Sequence, residues 1–337
     1  MRVVAAPDKF RGTASAAEVA AAVGRAALAA GWRCDEVPVA DGGDGLLDVL
    51  GGPNRTSVVT GPLGDPVEAG WRYERGTAVI EMARASGLLL AGGPEGNDPI
   101  AADTHGTGEL IQTAVEAGAT RVIVGLGGSA TTDGGLGALR ALYPHQRLRA
   151  VELLVACDVR TRFLDAAEVF GPQKGASRAP VRLLTNRLAR LADVYLEDHG
   201  VDVRDLPGAG AAGGLAGGLA AIGAQLLDGF ALVAEELELD QAIEGADLVV
   251  TGEGFLDDAS FEGKVVGGVA DMATDLGVPV VAVVGEEVDA DTVHTAVRDC
   301  GIAEVVSLVE RFGRDRAMSD TVACVEQVVA EVLAARS

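Results

Sequence analysis

Short valine-rich runs alternate with segments of helical period at both ends of this 337-residue chain, and that alternation restricts the fold most. "MRVVAAP" is followed by "SAAE", whose Ser15 to Glu18 spacing is that of a capping box, and then by Val19, Val23 and Leu28 on a helix ending at Gly31. "CDEVPVADGG" supplies a second strand. Near the other end, "ADLVVTGEG", "VPVVAVVG" and "AEVVSLV" read as strands separated by "KVVGGVADMATDLG", a helix. A last helix from about Ser319 carries Val322, Val325, Val328, Val329, Val332 and Leu333 on one face. Strands of this kind joined by helices form parallel βαβ units. With aromatics at only 4%, the core must be built from Ala, Val and Leu.

The middle of the chain reads differently. "GPLGDPVEAGWRY" and "TAVIEMA" resemble a hairpin around turn residues, whereas "THGTGELIQTAVEAG" is a loop and helix leading into "RVIVGLGG", and "VELLVACDV" is a buried strand. The fold expected is therefore α/β with two domains. Residues 1–50 with 245–337 form a parallel-sheet domain from both chain ends, and residues 51–244 are inserted as an α/β domain with a mixed sheet.

Charge narrows the partners. A formal charge of −23 repels nucleic acid and anionic membrane, and no Lys/Arg cluster offsets it. Four scattered cysteines without a CxxC pair, and an N-terminus lacking an apolar signal core, lead us to expect a cytoplasmic protein. Of 27 basic residues only Lys9, Lys174 and Lys264 are lysines, and each lies in a glycine-containing motif: "PDKFRG", "FGPQKGA" and "FEGK". A compact ammonium suits a moving phosphoryl group better than a planar guanidinium does.

Ligands on parallel sheets bind outside the carboxyl ends of the strands, here "APDKFRG", "ADGGDG", "TGEG" and "VVGEE". The stretch "GLGGSATTDGGLG" (125–137) places Gly125, Gly127 and Ala130 in a G-x-G-x-x-A pattern, but a dinucleotide site also needs an acid about 20 residues on, and none stands at a strand end. Two alternatives remain: a tight turn, or an anion cradle of backbone N–H groups with Ser129, Thr131 and the nearby Asp133. "ADGGDG" offers Asp41 and Asp44 to Mg²⁺, or is a solvated turn. "TGEGFLDD" presents Glu253 and Asp257 ahead of Lys264, but it is not a Walker A loop, because Asp258 and Val265 occupy its glycine and hydroxyl positions. "PGAGAAGG" (207–214) holds a phosphate at a helix start or lets helices pack closely. His105 is the one histidine among candidate site residues. No G-x-S-x-G elbow and no metal-spaced His pair occurs. Such a set suits phosphoryl transfer, which needs positioning and charge neutralisation above all.

The motifs "APDKFRG", "ADGGDG", "GPLGDPVEA", "AVIEMARASGL", "HGTGELI", "GGSATTDGG", "ACDV", "VFGPQKGA", "PGAGAAGGL" and "TGEGFLD…GK", in that order from residue 5 to about 285, resemble the type I glycerate kinases, the glycerate 2-kinase family. The resemblance implies a flavodoxin-like domain plus an inserted one, and ATP- and Mg²⁺-dependent phosphorylation of D-glycerate, typically at the 2-hydroxyl. On that reading we expect a catalytic set of Asp41, Asp133 and Asp158, for Mg²⁺ coordination or as the base that takes the hydroxyl proton, with Lys174 and Lys264 to neutralise phosphate charge, and metal ligands among Asp41, Asp44 and Asp133. Substrate and phosphate would be held by Lys9, Arg11, Gly127, Gly128, Ser129, Thr131, His105, Gly208, Gly210, Gly213, Gly214, Glu253 and Asp257. Departures from the family pattern are Phe255 for a usual Arg, Ala259 for a usual Gln, Asp98, Ala102 and Asp103 for common Asn and Ser/Thr, Arg11 for a usual Lys, and a shorter loop "RTRFLDAAE" after "ACDV". They leave open another small hydroxy acid as substrate, or a non-catalytic nucleotide or carboxylate binder. A homodimer is left open as well.

Overall fold

A computed structural model of the protein describes residues 1–10, 12–261, 263–288 and 290–336. Strand β1 (Arg2–Pro7) is buried from Val3 onward, as a strand covered on both faces must be. Helix Ala16–Ala29 returns the chain so that β2 (Arg33–Glu36) runs parallel to β1, Val3 opposite Cys34. The helix begins as its sequence predicts. Ser15 Oγ accepts from the Glu18 N–H, and the Glu18 carboxylate accepts from the Ser15 N–H, which satisfies two donors that a helix start would otherwise leave orphaned.

A second sheet follows, with six strands in chain order: β3 (Arg55–Thr60), β4 (Pro66–Glu74), β5 (Thr77–Glu81), β6 (Arg121–Gly125), β7 (Glu152–Cys157) and β8 (Gln225–Asp228). The β3–β4 and β4–β5 pairs are antiparallel, joined by short turns, one of which has Gly64 at φ +97°. From β5 to β8 the strands are parallel, because helices and long loops carry the chain back each time. The sheet is therefore mixed, as the turn chemistry of its first third requires.

The chain then returns to the first sheet with β9 (Leu248–Gly252), β11 (Val280–Val284) and β13 (Ile302–Ser307), while β10 (Phe255–Leu256) and β12 (Glu286–Glu287) form a separate parallel pair. The order β13-β11-β9-β1-β2 is wholly parallel and flavodoxin-like. Its connections leave β1 on one side toward β2 and resume on the other at β9. The switch point of the winding thus falls between β1 and β9. Helix Thr321–Ala334 closes this sheet, burying Val325, Val328, Val329, Val332 and Leu333 against helix Ala16–Ala29.

Each sheet has its own hydrophobic core. The chain divides into one unit of Met1–Asp41 with Gly229–Ser337 and another of Gly42–Asp228. These divisions precede the expected 50/51 and 244/245 for local reasons. Gly45 and Leu47 donate their N–H groups to Glu81 at the end of β5, which commits the 42–50 segment to the middle unit. Helices Gly229–Glu236 and Leu239–Ile243 pack on helix Val265–Asp275 of the terminal unit, where a Cβ on Gly268 would stand 2.3 Å from the Phe230 ring. Among the described residues no helix is long and apolar enough to cross a membrane.

Candidate functional site

In the unit built from the chain ends, the loops that follow β1, β2, β9 and β11 line a cavity of about 350 Å³ at the switch point. Asp8 follows β1 directly, and its N–H donates to the Gly252 carbonyl (2.8 Å), which ties the end of β1 to that of β9. The Asp8 carboxylate accepts from the Lys9 N–H (2.7 Å) and lies 3.7 Å from Lys9 Nζ. Glu253 follows β9. Asp257 and Ser260 cap one another's backbone N–H groups, which fixes the loop that leads to Lys264. Lys264 stands in extended backbone at the start of helix Val265–Asp275. Asp41 completes the wall.

The sequence reading therefore named five residues that the structure brings to one cavity: Lys9, Asp41, Glu253, Asp257 and Lys264. It missed three charged neighbours. Asp8 was in reach, since it sits inside "APDKFRG". Glu286 and Arg314 pair with each other at the same cavity, and Arg314 belongs to a C-terminal helix with no motif to reveal it. Phe255, half exposed, adds an apolar wall. Arg11 lies outside the described residues.

Five carboxylates and three cations thus share one small cavity. Glu253 Oε1 is buried without a hydrogen-bond partner among the described residues. Burial pushes the Glu253 carboxyl up to about 7; Asp8 and Asp257 add to the shift, while Ser260 and Lys264 oppose it. A carboxyl so placed exchanges its proton near neutral pH. The lysines can hold a polyanion, and an orphaned carboxylate oxygen offers a position to a cation or a proton.

The middle unit carries a second constellation on the loop after β6. Asp133 is partly buried. Its Oδ2 accepts from the Thr104 N–H (3.0 Å), Thr104 Oγ1 (2.8 Å) and the Gly137 N–H (2.9 Å), and its Oδ1 from the Gly135 N–H (3.1 Å). Burial raises its carboxyl pKa while these hydrogen bonds pull it down. With four donors on its two oxygens, Asp133 has little left for a metal or a substrate proton. It latches the start of helix Leu136–Ala141 to that of helix His105–Glu116, and its expected metal-binding role does not fit this geometry. Among the described residues no three His, Cys, Asp or Glu side chains converge as a metal ligand set.

Lys174 is also buried, at 2% exposure, and its Nζ donates to Ser129 Oγ (2.8 Å) and to the Thr131 carbonyl (2.6 Å). Asn97 Nδ2 supports the arrangement by donating to the Ala130 and Lys174 carbonyls. Its ammonium is thus spent on the loop, which makes Lys174 a positioning residue instead of a phosphate contact. Burial pushes its pKa down to about 7, with Asp133 opposing. An unfolded lysine titrates near 10.4, so between about pH 7 and that value the unfolded chain holds a proton that the folded one has released. Stability contributed here rises with pH. From pH 7 to 8.5 the wild type should gain about 2 kcal/mol relative to Lys174→Met in urea unfolding. Higher pH is avoided because Cys34 and Cys157, whose thiols burial pushes up to about 12, reverse the slope above about pH 9. A pH-independent difference between the two proteins would mean that Lys174 stays charged.

The glycines expected to hold phosphate do something else. Gly208, Gly210, Gly213 and Gly214 are all buried. An added Cβ would meet the Arg162 carbonyl at 2.4 Å from Gly210, the Thr131 carbonyl at 2.0 Å from Gly213 and Gly134 Cα at 2.8 Å from Gly214. Ala212, Gly213 and Gly214 have positive φ, so helix Ala211–Ala221 is broken where a phosphate-binding start would need regular N–H groups. Close packing behind the 131–135 loop explains them. Gly127 likewise packs, its would-be Cβ 2.4 Å from the Asp44 N atom. Gly128, at φ +66°, accepts from the Leu88 N–H, and Ser129 pairs with Gly87. Asp44 and the partly exposed Asp158 lie on loops of this unit, after Asp41 and after β7. His105 opens its helix, with Nε2 3.5 Å from Glu109 Oε1.

Comparison with known proteins shows the family to which the chain belongs. The glycerate kinase family model matches residues 3–145 and 143–337. A glycerate 2-kinase of Escherichia coli K12 is 39% identical over 353 aligned positions, covering 93% of this chain and 92% of the relative. A glycerate kinase of Bacillus subtilis 168 is 39% identical, covering 92% and 90%. The crystal structure of a candidate glycerate kinase 2 from Salmonella typhimurium LT2 superposes with a TM-score of 0.83 at 34% identity, over 100% of this chain and 99% of that one.

Proposed function

The chain belongs to the glycerate kinase family and is an enzyme of that family, and on that premise we propose that it transfers the terminal phosphoryl group of ATP to the 2-hydroxyl of D-glycerate with Mg²⁺. The observation that carries the reading is the switch-point cavity, where Lys9 and Lys264 stand among Asp8, Asp41, Glu253 and Asp257. Phosphoryl transfer is catalysed by positioning and charge neutralisation, and two ammonium groups at strand ends serve both. Arg314 adds a third cation to the same wall.

The residues fit a hard divalent cation. Mg²⁺ takes one or two carboxylates and keeps waters, so a three-carboxylate cluster is not required, and the orphaned Glu253 Oε1 is an open ligand position. Asp41 and Glu253 are the side chains we propose to hold it. When bound, the ion neutralises phosphate oxygens. For the hydroxyl proton we propose Asp158, because donors occupy Asp133 and Asp41 is assigned to the cation. All four cysteines are free, which supports a reducing, cytoplasmic setting.

Phe255 favours a second reading, a more apolar hydroxy acid as acceptor, since its half-exposed ring lines the cavity. The deciding experiment is 31P NMR of the purified protein with ATP, Mg²⁺ and D-glycerate, with L-glycerate and apolar 2-hydroxy acids in parallel. A phosphomonoester signal from D-glycerate coupled to the 2-position is expected. Product only from an apolar acid would transfer the assignment to the second reading. No product from any acid, with ATP intact and the protein folded, would remove both.

A further inference from the structure

We infer that the middle unit carries a second ligand site, which takes an amphipathic organic anion: an acidic head on an apolar body. A cavity of about 520 Å³ opens beside helices Leu136–Ala141 and Arg178–His199. Its floor is apolar, with Leu136, Leu188 and Leu191, and its wall carries three arginines, Arg140, Arg187 and Arg190. Arg187 Nη1 donates to the Ile100 carbonyl (2.9 Å). None of the three forms an ion pair among the described residues.

A second observation points inward. Thr132 also lines the cavity, is 1% exposed, and its Oγ1 has no hydrogen-bond partner among the described residues. A buried hydroxyl left unpaired is costly, so a native protein that retains one implies a group that reaches it. An acidic head held by the arginine forks, a polar atom at Thr132 and an apolar body on the leucines would use these groups, while the Asp133 carboxylate that also lines the cavity is engaged by its own four donors. Glycerate does not, because three carbons bearing two hydroxyls offer the floor nothing apolar to bury. The cavity therefore selects a ligand of a different class from the acceptor acid. Thr132 adjoins Asp133, whose four hydrogen bonds hold the 131–137 segment, so the ligand would bear directly on that latch.

The test uses the full chain and two fluorescent probes, anionic 8-anilinonaphthalene-1-sulfonate and neutral N-phenyl-1-naphthylamine. The wild type should bind the anionic probe saturably at one site. The double variant Arg140→Ala/Arg190→Ala should weaken that binding at least tenfold and leave the neutral probe unchanged. Arg190→Glu, a single exposed change, should act in the same direction. Thr132→Val should melt no lower than the wild type, since a hydroxyl without a partner has no bond to lose. Non-saturable binding, equal affinity in the arginine variants, or a Thr132→Val melting temperature lowered by more than about 5 °C would each overturn the proposal. Turnover of D-glycerate that falls in step with probe affinity would overturn it too, by making this the acceptor site. The binding readouts need no turnover, so they stand apart from the proposed kinase reaction.

Discussion

On the proposed reaction, Lys264→Met should lower ATP-dependent phosphorylation of D-glycerate by about 10³-fold in kcat/KM while the protein stays folded. The magnitude is that of losing one preorganised charge stabiliser, about 4 kcal/mol of transition-state energy. It is set high in that range by the surroundings. Lys264 shares its cavity with Asp8, Asp41, Glu253, Asp257 and Glu286, and removing one of the three cations among the described residues leaves a strongly anionic pocket facing a polyphosphate. Stability should change little. Lys264 makes no side-chain cap to its helix, and methionine keeps the aliphatic stem. The kinetic split is informative: a loss mainly in kcat means that the ammonium follows the transferring group, whereas a rise in KM for ATP alone means uniform phosphate binding. Lys264→Arg should restore part of the rate through its charge, though not its reach. A Lys264→Met enzyme within fivefold of wild type would remove the switch-point cavity from the mechanism.

Gly213→Ala should destabilise the middle unit by about 4 kcal/mol, lowering its melting temperature by roughly 10 °C. Two effects add. Gly213 has φ +66°, where a Cβ costs about 1–2 kcal/mol. Its Cβ would also stand 2.0 Å from the Thr131 carbonyl and 2.6 Å from Thr132 Cα, and both are backbone atoms that cannot rotate away. Gly200→Ala isolates the first effect, because Gly200 has φ +73° with nothing within 4 Å of its would-be Cβ, and should cost only about 1–2 kcal/mol. The two variants melting alike in a thermal scan would show that the 131–135 loop yields, and that the packing argument is wrong. Because the same clash displaces the segment that Lys174 and Asp133 hold, Gly213→Ala should also lose activity at temperatures where it remains folded.

Much of the fold was legible because it is written locally. The capping box at Ser15 and Glu18, the valine runs of β1, β9 and β11, and the hairpin of β4 and β5 each act within a few residues, and each appears where the pattern placed it. The order in which parallel strands pair is not local, yet the chain-end alternation already implied one sheet from both ends. The cavity was half legible. Lys9, Asp41, Glu253, Asp257 and Lys264 belong to loops at strand ends, and topology sends such loops to one edge of the sheet. Arg314 reaches the same wall from a helix about 50 residues further along, and no spacing rule connects it to Lys264.

The sequence by itself determined the two sheets, the family and the strand-end residues, since periodicity, turn chemistry and motif order are properties of neighbouring positions. Only the tertiary structure decided what the polar and glycine residues do with those positions. In sequence a glycine-rich run before a helix reads equally well as a phosphate cradle or as room for another backbone, and the choice depends on which atoms arrive from elsewhere. At Gly213 the Thr131 carbonyl arrives. Asp133 and Lys174 carry the same charge in either reading, but burial among donors and carbonyls turned both inward, to hold a loop. Charge is a property of a residue; whether it meets solvent, ligand or its own chain is a property of the fold.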